Sequence, residues 1–328
     1  MQGLYLLWWV QERQVPAAVV ASLMAAGEVA AMLLEVPTGW LADRAGHRRS
    51  LIAGSCVQTL AMAWCWLATD ATGVLIAIVL VAAGDALRSG ADEALLYRSC
   101  VACDRETEFQ RIEARTNTVT IVAHAALIVA GGLLVGTLGY AAGWIAEIAL
   151  AAVGVVIACV FVDPPPALTA GEVAEGTGVA ASRPVAVSTL LRLIAPVAWM
   201  GGLGTMAVFL TQTGDAEPVR LTSVVAAITL CEALGAACAT RLRAGVAFEA
   251  GLAIAASATF VAGLTAPLGI AGAAMLLSLC LGLAEPLRSA AIQRVCADDQ
   301  RAGAASLASA CDKAIAIVAL PLAGWIRR

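Results

Sequence analysis

The sequence predicts an all-α integral membrane protein built as two similar helical bundles, and three observations carry that prediction. Apolar residues make up 61% of the 328 and charged residues only 13%, against about 45–50% and 25% in soluble domains. The apolar residues run unbroken over helical lengths, whereas a membrane barrel strand alternates apolar and polar residues over about ten positions. A short polar motif of the first half of the chain recurs in the second. A soluble protein has too little polar surface to cover so much apolar side chain; a bilayer accepts it.

Taken in order, the elements begin with an apolar stub at 4–10, about 15 Å long when measured from Met1 at 1.5 Å per residue and so about half the hydrocarbon thickness. Ten longer apolar stretches follow at 17–41, 51–68, 74–96, 118–138, 141–162, 187–210, 221–240, 246–264, 267–290 and 303–326. Each holds about the number of residues a helix needs to cross a bilayer. The expected architecture is therefore about ten full transmembrane helices and a partial first one.

Orientation follows from the arginines, because basic residues stay on the cytoplasmic side. If the stub counts as the first span and the turn at 43–49 is cytoplasmic, thirteen of the twenty basic residues fall on or beside cytoplasmic connections. Four (Arg13, Arg220, Arg327 and Arg328) fall on the other side, and Arg88, Arg288 and Lys313 fall within spans. The stretch that begins at Asp163 and contains PPPALTAGEVAEGTG is rich in Pro, Gly and Ala without apolar periodicity, and reads as a flexible linker. It divides the chain into an N-terminal bundle (1–162), a cytoplasmic linker (163–186) and a C-terminal bundle (187–328).

The repeat lies in the fourth span of each half. GDALRSGA at 84–91 aligns with AEPLRSAA at 284–291, which sets Asp85 on Glu285, Arg88 on Arg288 and Ser89 on Ser289. Parallel halves around a midplane site are a recurring transporter plan.

The turn after the second span reads EVPTGWLADRAGHRR, from Glu35 to Arg49. It resembles the signature G-x-x-x-D-R-x-G-R-R/K between the second and third helices of major facilitator transporters. Gly39, Asp43, Arg44, Gly46 and Arg48 match at spacing, His47 stands where an arginine is usual, and Arg49 restores the basic pair. The run LRSGADEALLY at 87–97 is also similar to bacterial members. Without the family, Gly39 permits close helix approach, Gly46 a tight reversal, and Asp43 a pairing at an emerging helix end. The resemblance implies a gate made of Gly39, Asp43, Arg44, Gly46, Arg48 and Arg49. It locks one arrangement of the halves and releases the other. It also implies a secondary active transporter of a small solute, working by alternating access, proton-coupled and more an exporter than an importer.

Ionisable groups inside spans cost about 2.5–3.5 kcal/mol each at the bilayer centre on insertion scales, so they are kept for a reason. Asp85, Arg88 and Asp92 are spaced i, i+3, i+7 for one helical face. Glu285 and Arg288 repeat the i, i+3 pair, and Glu28, Glu35, Glu232, Asp312 and Lys313 complete the set expected around a cavity between the halves. Carboxylates there would exchange protons and arginines would tune them; the resemblance associates Arg88 with proton coupling. Pairs of this kind also serve as helix glue, and His124 reads as a packing residue or a proton relay.

Other classes find little support. No phosphate-binding loop, H-E-x-x-H or G-x-S-x-G occurs, so no enzyme is expected. Ten cysteines, mostly inside apolar runs, read as packing residues, and Cys100–Cys103 has no second ligand pair for a metal. No cleavable leader is read at the N-terminus. No cofactor, metal or nucleic acid is expected as partner; a small solute, protons and the bilayer are. The fifth span lacks the glycine–proline pattern of drug antiporters, having Gly131, Gly132 and Gly136 without proline. Family members carry twelve spans, so the stub and the end at Arg328 point to a chain shortened at both ends, with a degenerate, non-transporting protein as the alternative. The expected setting is a bacterial inner membrane, as a monomer.

Overall fold

A computed structural model of the chain describes residues 4–89, 91–105, 108–162, 186–213, 217–239, 246–265, 269–295 and 298–326, and every regular element among them is helical. In hydrocarbon no water satisfies the backbone, so each segment pairs its own N–H and C=O groups. The elements are α1 (Leu4–Leu7, continued by a π-turn over Trp8–Glu12), α2 (Ala17–Ala45), α3 (His47–Leu67), α4 (Ala71–Arg88), α5 (Ala91–Ala102) and α6 (Phe109–Leu138). They continue as α7 (Tyr140–Val160), α8 (Val187–Gln212), α9 (Pro218–Ala239), α10 (Val246–Gly263), α11 (Gly269–Val295) and α12 (Asp298–Ile326).

Among the described residues nine helices are long and apolar enough to cross a membrane, and α10 adds a shorter apolar stretch at Phe248–Gly263. One expectation needs correction. The stretch expected as one span over 74–96 is two helices, because α4 stops at Arg88 and Ser89 turns to φ −57°, ψ 124°. The break is stable because the carbonyls it strands find donors. The Ser89 N–H bonds Asp85 O, the Thr38 hydroxyl of α2 donates to Ala86 O at 3.0 Å, and the Ser50 hydroxyl of α3 donates to Leu87 O at 2.6 Å. Carbonyls at a helix end have no intrahelical donor, and here two neighbouring helices supply one each. The linker expected at 163–186 falls almost wholly outside the described residues.

α2, α3, α4, α6 and α7 pack together with α1 as one bundle, and α8 to α12 as another. Small residues set the crossings, as they do where hydrocarbon offers no drive to bring helices together. α3 and α4 cross where Gly54 and Gly84 face each other's carbonyls, and α9 and α11 cross at Gly235 and Gly282, whose added Cβ atoms would collide with the opposite backbone. The bundles meet through α2 against α12 and α6 against α9. Close approaches lie at the ends remote from the turn at Gly46. A methyl group on Gly324 would stand 2.8 Å from Ala18 Cα, one on Gly136 would stand 2.8 Å from Val219 Cγ2, and one on Gly132 would overlap Thr222. Large apolar side chains such as Leu33, Val119, Val160 and Ile254 remain exposed on the outside, where lipid would cover them.

The stub is a packed part of the first bundle. Leu4, Leu6, Leu7 and Trp9 are buried, the Trp9 indole donates to Cys65 O at 3.2 Å, and Arg13 donates to Trp66 O at 3.2 Å. Arg13 also lies over the Trp8 ring at 4.7 Å, and Trp8 meets Tyr140 and Trp144 at 5.4 and 6.2 Å. These contacts make an aromatic cap on the outer ends of α3 and α7.

Candidate functional site

The first bundle encloses a cavity of about 770 Å³, large enough for a small organic molecule. Its wall comes from α1, α2, α3, α4, α6 and α7. Three of the residues expected at a cavity line it: Glu28, Asp85 and Arg88. His124, Gln58 and Glu147 line it as well. Gln58 and Glu147 are new to the set, although each is a polar side chain in an apolar run.

Local packing positions these groups. Gly27, beside Glu28, has no side chain, so Ile78 of α4 lies against the α2 backbone. Asp85 follows Ile78 by seven residues, two turns further along the same face of α4. Arg88 pairs with Asp85 at 2.8 Å, and its stem lies over Gly54, where an added Cβ would come 2.6 Å from Arg88 Cγ. Both members of the pair keep about half of their side chains exposed. Three buried polar atoms of the lining, Gln58 Oε1, Arg88 Nε and Trp144 Nε1, have no hydrogen-bond partner among the described residues.

Five of the seven remaining expected residues form two other groups, outside that cavity. In the second bundle the Arg288 guanidinium forks onto Asp312, with N–O distances of 2.8 and 3.0 Å, and Glu285 lies 3.6 Å away. The Arg288 side chain is only 8% exposed, against 43% for Arg88. Between the bundles, Lys313 of α12 bonds Glu35 of α2 at 2.6 Å. Asp312 and Lys313, consecutive and of opposite charge, thus serve different partners. Asp92 lies on α5, exposed and past the break, so it does not extend the Asp85–Arg88 stripe. Glu232 is exposed on α9, where its backbone carbonyl is what Gly282 packs against.

At the turn between α2 and α3, Gly46 adopts φ +94°, the left-handed region that a side chain disfavours, and α3 begins at the next residue. Arg48 donates to Cys159 O at 2.7 Å and so ties the start of α3 to a stranded carbonyl at the end of α7. Arg44 and Arg49 are exposed, and the His47 Nδ1 is buried without a partner among the described residues. The surroundings of Gly39 and the side chain of Asp43 lie outside the described residues.

One residue that sequence reasoning passed over stands out. Glu249, in the first turn of α10, is 1% exposed, and its Oε2 has no hydrogen-bond partner among the described residues. The signal was available as an acid at the head of an apolar run, but its neighbour Arg288 is distant in sequence.

No protein-family model matches the sequence, and no curated protein matches it either. Solved structures do match in shape. A bacterial homologue of the human lysosomal transporter Spinster, in an inward-facing and unoccupied conformation, is 16% identical with a TM-score of 0.72, over 95% of this chain and 75% of that one. The nucleoside transporter NupG is 15% identical with a TM-score of 0.63, over 99% of this chain and 85% of that one. A D-xylose–proton symporter is 13% identical with a TM-score of 0.67, over 98% and 84%. The shared feature at such identities is the fold, and the chain has the major facilitator fold that its cytoplasmic turn implies.

Proposed function

We propose that this major facilitator fold works here as a secondary active transporter of a small solute, by alternating access and coupled to protons. The observation that carries the reading is the cavity of the first bundle, where the Asp85–Arg88 pair lines about 770 Å³ of space together with Glu28 and Glu147. Glu28, Asp85 and Glu147 set three carboxyl groups against one arginine on the lining, which favours a neutral or cationic solute over an anionic one. Glu28 and Asp85 would exchange the coupled proton, and Arg88 would keep its ion pair with Asp85 until solute or proton displaces it. His124, on the same wall, is placed to pass a proton on.

The tight seams at the outer ends support a resting arrangement open toward the cytoplasm, with the bundles rocking about α2–α12 and α6–α9. The turn at Gly46, with Asp43, Arg44, Arg48 and Arg49, would act as the inner gate. Export from a bacterial cytoplasm across the inner membrane, by a monomer, fits this orientation.

The test begins with a thermal-shift screen of neutral and cationic solutes on purified protein. Hits then go to proteoliposomes carrying an imposed pH gradient. Solute flux should follow the gradient and vanish in Arg88→Ala. Flux that persists after the gradient is collapsed would refute proton coupling. No binding of any solute, or flux unchanged in Arg88→Ala, would refute the cavity as the site.

A further inference from the structure

The wall of the cavity in the first bundle has a gap in it. Its lining residues are buried or half-buried except five: Asp85 near the end of α4, and Leu127, Ala130, Ala146 and Leu150 on α6 and α7. These two helices run antiparallel from the turn at Gly139. Leu127 and Leu150 stand at nearly equal distances from that turn, about 17 Å at 1.5 Å per residue, with Ala130 and Ala146 closer to it. The four therefore border one slot between α6 and α7, midway along the apolar stretches Val119–Leu138 and Tyr140–Val160. The slot does not look toward the second bundle. α6 meets α9 through Gly132 and Gly136, and at 100° per residue Leu127 and Ala130 lie on the opposite face of α6. α7 packs mainly on α3. Leu127 and Leu150, 51% and 49% exposed, would thus meet hydrocarbon while they also border the cavity.

Behind the slot the chemistry reverses. Glu147, one residue beyond Ala146, shares the wall with Glu28 and Asp85, whereas Arg88, the one arginine of the lining, is paired with Asp85. Trp9 and Trp144 are buried in the same wall. Trp9 spends its N–H on Cys65 O, so an occupant meets it as an aromatic ring rather than a donor. Carboxylates beside aromatic rings suit an ammonium group.

We propose that the slot between α6 and α7 is a portal to the bilayer, and that its ligand is an amphiphilic amine. The ammonium head is held by Glu28 and Glu147 beside the rings, and an alkyl tail lies in the slot between Leu127 and Leu150. Such a molecule is concentrated in the membrane, and the slot admits it without a passage through water. Binding stands on the cavity and slot alone; carriage of the ligand rests on the transport reading above, of which it names the substrate class.

The test is equilibrium binding of decyltrimethylammonium to the full chain in lipid nanodiscs, with uptake by empty nanodiscs subtracted. Tetramethylammonium, the same head without the tail, should bind at least about ten-fold more weakly. Decyl sulfate, a like tail with the opposite charge, should not bind above the empty-disc level. Ala130→Trp and Ala146→Trp fill the slot and should each weaken decyltrimethylammonium binding at least about ten-fold. Ile157→Trp, exposed on α7 and outside the cavity wall, should not change it. Equal affinity for the two cations overturns the portal, and so does undiminished decyltrimethylammonium binding in a folded slot variant. If one slot variant does not fold by circular dichroism the other decides, and if neither folds the comparison of the two cations decides. Slot-dependent binding in a protein that moves no solute would uphold the portal and count against the transport reading. Proton-driven flux of a tail-less solute, in a protein that does not bind decyltrimethylammonium, would overturn the portal and leave the transport reading standing.

Discussion

Arg88 and Arg288 share one local motif and occupy opposite physical settings. Arg88 pairs with Asp85 while about half of each side chain remains exposed. Solvent screens such a pair, and its net stabilisation is below about 1 kcal/mol. Arg88→Ala should therefore leave the melting temperature of the purified protein nearly unchanged while it removes solute flux in proteoliposomes. Arg288 is buried while Asp312 is 37% exposed, so removing the arginine leaves a partly solvated carboxylate without its two-pronged bond, which costs about 1–3 kcal/mol. Arg288→Ala should lower the melting temperature by a few degrees, and Arg288→Lys, which cannot fork onto a carboxylate, should recover only part of the loss. The sequence shows the two arginines as equivalents because spacing reports the repeat. It is silent on burial, which for Arg288 comes from Asp312, a residue 24 positions away on another helix.

Among the elements, α4 is the one that hydropathy misreads. A window over 74–96 averages Ser89 and Gly90 into an apolar background. The actual break depends on two hydroxyls, Thr38 and Ser50, from positions 48 and 37 residues distant from the carbonyls they reach. Thr38→Val and Ser50→Ala should each destabilise by about 1 kcal/mol, the usual net value of one hydrogen bond. The double variant should lose about the sum of the two, measured by thermal melting in one detergent. The seams between bundles make a second element-scale prediction. Gly132 leaves no room for a side chain against Thr222, so Gly132→Leu should push the outer ends of α6 and α9 apart. Spin labels placed on those ends should report a longer distance in this variant, and a shorter or equal one would contradict the packing described.

At the scale of the whole molecule, the bilayer made much of the fold legible, since length and apolarity alone fix where helices cross. The turn at Gly46 and the repeated arginine motif supplied the two-bundle plan. The grouping of the ionisable residues was not legible. Of the ten expected around one cavity between the bundles, Glu28, Asp85 and Arg88 line a cavity of the first, Glu285, Arg288 and Asp312 cluster in the second, Glu35 and Lys313 tie the two, and Asp92 and Glu232 lie exposed on α5 and α9. Lys313 and Glu35 are 278 residues apart, and no periodicity links them. That tie is partly exposed, so under the proposed alternating access breaking it should shift the balance between the two open states by about 1 kcal/mol, roughly five-fold in population. Glu35→Lys with Lys313→Glu should restore what either reversal alone disturbs, as read by labelling of cysteines placed on the inner face.

The aromatic cap has a consequence for the route of a passenger. Tyr5, Trp9, Cys65 and Trp144 belong both to the cap and to the wall of the cavity, and the cap is bonded to α3 and stacked on α7. The main contacts with the opposite bundle run through other helices, α2 and α6. In the proposed rocking of the bundles, the ceiling would travel with the chamber, like a lift whose roof is welded to its car. A molecule inside would then leave by a side door, where α2 meets α12 or α6 meets α9. In the proposed export, the pace of discharge would be set by how readily the glycine seams at Gly132 and Gly324 come apart.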